Sequence, residues 1–129
     1  MAHIRYIVND VEEAVGFYTS QLGFNLKMHT EGSFAMLSLG DVRLVLSVPD
    51  SASAGARSMP DGTRQSPGGW NRFAIEVTDI GKAVEKLRNE GAHFRNNIIT
   101  GIGGKQVILE DPSGNPIELF EPVLVEAQK

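Results

Sequence analysis

The sequence predicts an α+β fold made of two βαβββ modules in tandem. Three observations carry that prediction. The chain has 129 residues, enough to bury a real hydrophobic core. Segments of strand period and helix period follow one another twice in the same order. And the two halves match at fixed offsets, the mark of an internal repeat.

The first strand is read from "HIRYIVN", His3 to Asn9. Alternation places Ile4, Tyr6 and Val8 on one face and His3, Arg5 and Ile7 on the other. A helix follows. Asn9 or Asp10 can cap it, and Glu12 and Glu13 suit the positive end of its dipole. Val11, Ala14, Val15, Tyr18 and Leu22 fall at helical spacing, and Gly23 can end it. Three extended segments come next, "FNLKMHT", "SFAMLSL" and "VRLVLSV", broken at Glu31-Gly32 and Gly40-Asp41. Residues 49–69 are rich in Pro, Gly and Ser without an apolar period, and read as a long surface loop or linker.

The order then repeats. "NRFAIEVTDIGKAVEKLRNEG" runs strand, cap at Asp79, and a helix with Ile80, Ala83, Val84 and Leu87 on its apolar stripe. "HFRNNIIT", "KQVILED" and "PIELFEP" are the extended segments of this half, with turns at "TGIGG" and "DPSGN". At an offset of 69, Asp10 matches Asp79, Ala14 matches Ala83, Val15 matches Val84 and His3 matches Arg72. At an offset of 74, "GDVRL" matches "GNPIE", which sets Leu44 against Glu118. In each half the helix can cover one face of its sheet. The other face needs its twin or a ligand.

Composition narrows the functions. The net charge is −4 and the pI about 5.3, which argues against nucleic-acid or anionic-membrane partners. No apolar run approaches the ~20 residues of a membrane helix. The N-terminus has no apolar secretion core, and a cytoplasmic location is the default expectation. With no cysteine, there is no disulfide, thiolate nucleophile or cysteine metal site. "GIGG" lacks the Lys-Ser/Thr and helix of a phosphate loop and reads as a hairpin turn. His29 and His93 read as surface residues.

The stretches "HIRYIVNDVEEAVGFYTSQLGF" and "GGKQVILEDPSGNPIELFEP" resemble the vicinal oxygen chelate superfamily, which includes glyoxalase I, bleomycin-resistance proteins, fosfomycin-resistance enzymes and extradiol dioxygenases. The resemblance covers roughly residues 3–122. It implies curved mixed sheets around a central cavity, and a homodimer. It implies a single such domain over 1–129: module 1 at about 2–49, a linker at about 50–69, module 2 at about 70–122 and a tail at 123–129. It also implies that metal-dependent relatives take ligands from the first and last strands of each module. The matching positions here are His3, Leu44, Arg72 and Glu118, and a slip of one residue puts Val45 for Leu44. A divalent site needs three or more N or O donors, and only His3 and Glu118 qualify. Arg72 is a permanent cation.

The expectation is therefore a metal-free protein that binds a small molecule, with no cofactor. A metal-dependent lyase, isomerase or dioxygenase using His3 and Glu118 is the alternative, with those two residues as its candidate catalytic and metal groups. A third reading is an accessory module without a ligand. Glu118 is expected to pair with Arg72, because an unpaired inward carboxylate is costly. Arg5, Leu44, Leu46, Trp70, Arg72, Glu76 and Phe120 are the candidate ligand-binding residues. Trp70 is read either as a cavity wall or as a plug on the sheet end.

Overall fold

The computed structural model describes residues 1–123, so of the expected tail all but Val123 lies outside the described residues. The chain divides into two units, residues 1–69 with 112–115, and residues 70–111 with the chain from 116 onward. Among the described residues they hold two α-helices and two mixed sheets, an α+β architecture.

Unit 1 runs β1 (His3–Ile7), α1 (Val11–Ser20), β2 (Asn25–Thr30), β3 (Phe34–Leu39) and β4 (Val42–Ser47). Its sheet has the order β1-β4-β3-β2, with β1 parallel to β4 and the other pairs antiparallel. Asp10 starts α1: its backbone is extended and its carboxylate accepts from the Glu13 amide at 3.0 Å. That satisfies one of the amides a helix start leaves without a partner. The buried stripe is Val11, Ala14, Phe17 and Tyr18. Val15 and Leu22, expected on it, are half-buried at its margin. Tyr18 meets Phe17 and Phe24 edge to face, with centroids 5.2 and 5.5 Å apart. β2 ends the strand order; all six of its residues are exposed, and its register shifts between Leu26 and Met28.

The segment expected as a surface loop or linker is a loop with one short 3-10 turn, and it belongs to unit 1. Asp50, at φ +54°, is its hub. Its carboxylate accepts from the amide and the hydroxyl of Ser58, both at 2.8 Å, and from Arg64 Nε at 3.3 Å. Asp is among the few non-glycine residues that tolerate this backbone conformation. A short 3-10 turn over Ala54–Ala56 buries Ala56, and Gln65 Nε2 donates to the Gly55 and Arg57 carbonyls. Composition hid this order because polar side chains, not an apolar period, satisfy the backbone here. The turn residues Ser113 and Asn115 also belong to unit 1. Asn115 donates to the Ile7 carbonyl at 2.7 Å and accepts from the Gly68 amide at 2.8 Å, while Ser113 accepts from the Asn9 amide.

Unit 2 runs β5 (Ala74–Glu76), α2 (Ile80–Asn89), β6 (His93–Phe94), β7 (Ile99–Thr100), β8 (Gly104–Glu110) and β9 (Pro116–Pro122). The order β5-β9-β8-β6, with β5 parallel to β9, repeats that of unit 1. Asp79 caps α2 through the Lys82 amide, as Asp10 caps α1. "HFRNNIIT" is not one strand but two short ones. Asn96 intervenes: its side-chain carbonyl accepts from the Ile108 amide at 2.9 Å, replacing a ladder bond. Among the described residues no helix is long and apolar enough to cross a membrane.

Candidate functional site

Each sheet has a face under its helix and a face open on the other side, and strand register sorts the candidate residues between them. In unit 1, His29 is in register with Ala35 and its ring lies 2.9 Å from Glu12 of α1, so that row belongs to the helix face. The register continues from Ala35 to Leu46 and Tyr6, and from Leu37 to Leu44 and Ile4. Leu44 and Leu46 are therefore on the helix face and fully buried. Leu44 and Leu46, named above as candidate ligand-binding residues, are thus on the opposite face from His3 and Arg5. The residue in register with Arg5 is Val45. The repeat misled by one residue, because module 1 has one more residue than module 2 between its turn glycine and the strand position in question.

The open face of unit 1 is built of cross-strand rows. One is Arg5, Val45, Met36 and Met28; a second is His3, Arg43, Ser38 and Asn25; a third is Ile7, Ser47, Phe34 and Thr30. No register position on this face is Asp or Glu. Arg5 Nη1 donates to Ser47 Oγ at 2.7 Å and to Ser53 Oγ at 3.2 Å, and Ser53 Oγ donates to Ser47 Oγ at 3.0 Å. Arg43 Nη1 donates to the Gly40 and Val42 carbonyls. Among the described residues neither arginine meets a carboxylate. His3 is exposed.

Unit 2 distributes its charges differently. Glu121 Oε1 accepts from the Ile80 amide at the start of α2, so Glu121 lies on the helix face, with the buried Leu119 and Ile117. Alternation leaves Pro116, Glu118 and Phe120 on the open face. Glu118 is in register with Ala74, and Phe120 with Glu76. Arg72 Nε and Nη2 converge on Glu118 Oε1 at 3.0 and 2.9 Å, and Arg72 Nη1 donates to the Trp70 carbonyl at 3.1 Å. The expected Arg72–Glu118 pair is thus formed. Glu118 Oε2 accepts no hydrogen bond among the described residues.

A second pair escaped the sequence reading. Arg95 Nε donates to Glu110 Oε2 at 2.7 Å, and its guanidinium lies over the Trp70 ring, 4.6 Å from the centroid. His93, read as a surface residue, is exposed, with its ring 3.9 Å from Glu110. Trp70 is itself largely exposed. Glu76, with Val77, Thr78, Glu121 and Pro122, lines an open cavity of about 350 Å³.

No three His, Asp or Glu side chains among the described residues gather into a metal-holding group. The donor chemistry of the family positions points the same way. Val45 has no side-chain lone pair to give, and the oxygen of Glu118 nearest Arg72 already accepts from Nε, with Nη2 of the same guanidinium 2.9 Å away. These residues do not fit a divalent ion.

The sequence model of the Glyoxalase/Bleomycin resistance protein/Dioxygenase superfamily matches residues 1–119, and the chain belongs to that superfamily. Among curated proteins it is 29% identical over 126 residues to a lactoylglutathione lyase of Arabidopsis thaliana, covering 92% of this chain and 43% of that protein. It is 30% identical over 130 residues to a probable chloroplastic lactoylglutathione lyase of the same plant, covering 94% and 35%. The chain therefore spans less than half the length of either plant relative. With the lactoylglutathione lyase of Salmonella typhimurium it shares 26% identity over 128 residues, covering 94% and 91%. The fold resembles that of a fosfomycin resistance protein from Listeria monocytogenes, with a TM-score of 0.72, 15% identity and coverage of 98% and 95%. It also resembles a lactoylglutathione lyase from Agrobacterium tumefaciens, with a TM-score of 0.71, 19% identity and coverage of 94% and 92%.

Proposed function

We propose that this chain is a cytoplasmic small-molecule-binding member of its superfamily, a homodimer that holds a ligand on the open sheet faces without a complete divalent-metal site. The observation that carries this reading is the Arg72–Glu118 pair. A carboxylate in a family ligand position is neutralised by a guanidinium that donates Nε–H to one of its oxygens and holds Nη2 2.9 Å from the same oxygen. The remaining candidates lie within their own units: Arg5 on the open face of unit 1, and Glu76 and Phe120 on that of unit 2, with Trp70 under Arg95 in unit 2. The exposed side chains of Ile98, Ile99 and Ile102 support association with a second copy.

The test is a thermal-shift screen of the purified protein against divalent metals, carboxylates, glutathione thioesters and antibiotics, since a ligand of the native state raises stability. The expected result is stabilisation by an organic compound in metal-free buffer. Stoichiometric Ni²⁺ or Zn²⁺ binding, accompanied by lactoylglutathione lyase activity, would overturn this reading in favour of the metal-dependent alternative. Two observations favour that second reading: the names of the curated relatives, and the second oxygen of Glu118, which is without a hydrogen bond among the described residues. In that case His3 and Glu118 are the ligand or proton-transfer groups.

A further inference from the structure

We infer that Arg5 is an oxyanion seat, so that the small molecule this protein binds carries a carboxylate or a phosphate. The inference rests on the small-molecule reading above and names the chemistry of the ligand. Three observations converge on it.

The first is the direction of the guanidinium. Nη1 is committed to the Ser47 and Ser53 hydroxyls, and both serines are buried. Among the described residues Nε and Nη2 have no partner. The Nε–Nη2 edge is one of the forks that match a carboxylate or phosphate with two parallel hydrogen bonds. Because Nη1 is anchored, the free edge is held in place before a ligand arrives.

The second is the floor beneath the guanidinium. A Cβ built on Gly55 would meet Arg5 Cζ at 2.3 Å and both terminal nitrogens at 2.6 Å. The group thus lies flat on the Gly55 backbone, in space that only glycine leaves open. Nothing in the Gly55 backbone conformation itself forbids a side chain. The glycine is needed there to admit Arg5.

The third is the surrounding charge. The open face of unit 1 carries Arg5 and Arg43 and no acidic register position, on a chain whose net charge is −4. An unneutralised cationic face on an acidic protein selects anions. Beside Arg5 in the same row, Val45, Met36 and Met28 offer an apolar strip for the rest of the molecule.

The test follows the backbone amide resonances of Ser53 and Gly55 by NMR. Inorganic phosphate and acetate are titrated separately, with chloride at matched ionic strength as the reference. The wild-type protein is expected to give saturable shifts with phosphate and acetate in the millimolar range. Arg5→Gln should weaken the response about tenfold or more. Gly55→Ala should weaken it several-fold while the melting temperature stays near that of the wild type, because a flexible side-chain end is all that must move. Equal shifts with chloride, or an Arg5→Gln protein that binds phosphate as well as the wild type, would overturn the proposal and leave an adventitious ion only. A neutral or cationic compound that binds the wild type and Arg5→Gln equally would also sink it, while leaving the small-molecule reading intact. Anion binding that needs Arg5 supports the seat even where the thermal-shift screen yields no organic ligand.

Discussion

The two sheets share one topology and put opposite electrostatics on their open faces. In unit 2, Arg72 meets Glu118 and Arg95 meets Glu110, so each cation is answered by a carboxylate of the same unit. In unit 1, Arg5 and Arg43 are held by hydroxyls and carbonyls alone. A hydroxyl or carbonyl orients a guanidinium without cancelling its charge. A carboxylate does both. The repeated fold fixes where inward side chains point, and the choice of partner decides whether a face is sealed or left with a charge to satisfy.

The largest expected effect is one that the two units should share, because it falls on the helix faces they have in common. Leu44→Ala and Ile117→Ala each empty a fully buried helix-face position. Each should cost about 3 kcal/mol in urea denaturation, the usual range for such truncations. A cost below about 1 kcal/mol for Leu44→Ala would return that residue to the open face. Next in size comes the difference between the arginines. Arg72 and Glu118 side chains are 27% and 15% exposed, so Arg72→Ala strands a mostly buried carboxylate and should cost about 2 kcal/mol. Replacing both with Leu should cost less than the single change. Arg5→Ala leaves Ser47 and Ser53 bonded to each other and should cost about 0.5 kcal/mol. Equal costs for the two arginines would erase the contrast.

The smallest effect is local to the Asp50 loop. Its carboxyl is held below the ordinary carboxylate value, first by the Ser58 hydroxyl, then by the Ser58 amide, with Arg64 adding less. A depressed folded-state pKa gives stability that is present above the unfolded value, about 3.9, and is lost as pH falls through the folded one. Hydrogen-exchange protection of the Ser58 amide should therefore hold from neutral pH down to about 4 and fade below it. Protection that is flat to pH 2 would remove Asp50 from its role as the hub.

What could be read from residues alone divides along the range of the forces involved. The helix caps were legible, Asp79 outright and Asp10 as one of two candidates with Asn9, because a cap reaches only three residues. The Arg72–Glu118 pair was legible because the family resemblance sets both positions inward on the first and last strands of one module. Leu44 and Leu46 were misassigned because alternation fixes a face only relative to a register, and one residue of slip reverses every side chain. Ser53 and Gly55 were not legible at all. They sit in a run of small residues without a period, and only the folded loop brings them to Arg5. Arg95 was missed for a related reason: the Asn96 interruption carries its partner contacts outside any regular pattern.

The shift of register in β2 has a consequence for how this protein keeps to itself. A strand at the end of a sheet offers a row of unpaired amides and carbonyls to any passing chain. β2 ends the order in its sheet, with Leu26 and Met28 exposed along it. Lys27 falls where the ladder slips, so the row is broken at its midpoint and carries a charge there. An incoming strand could match one half of the edge or the other, never both. A bulge and a charge on an edge strand disfavour edge-to-edge pairing with another strand, and here they fall between the exposed side chains of Leu26 and Met28.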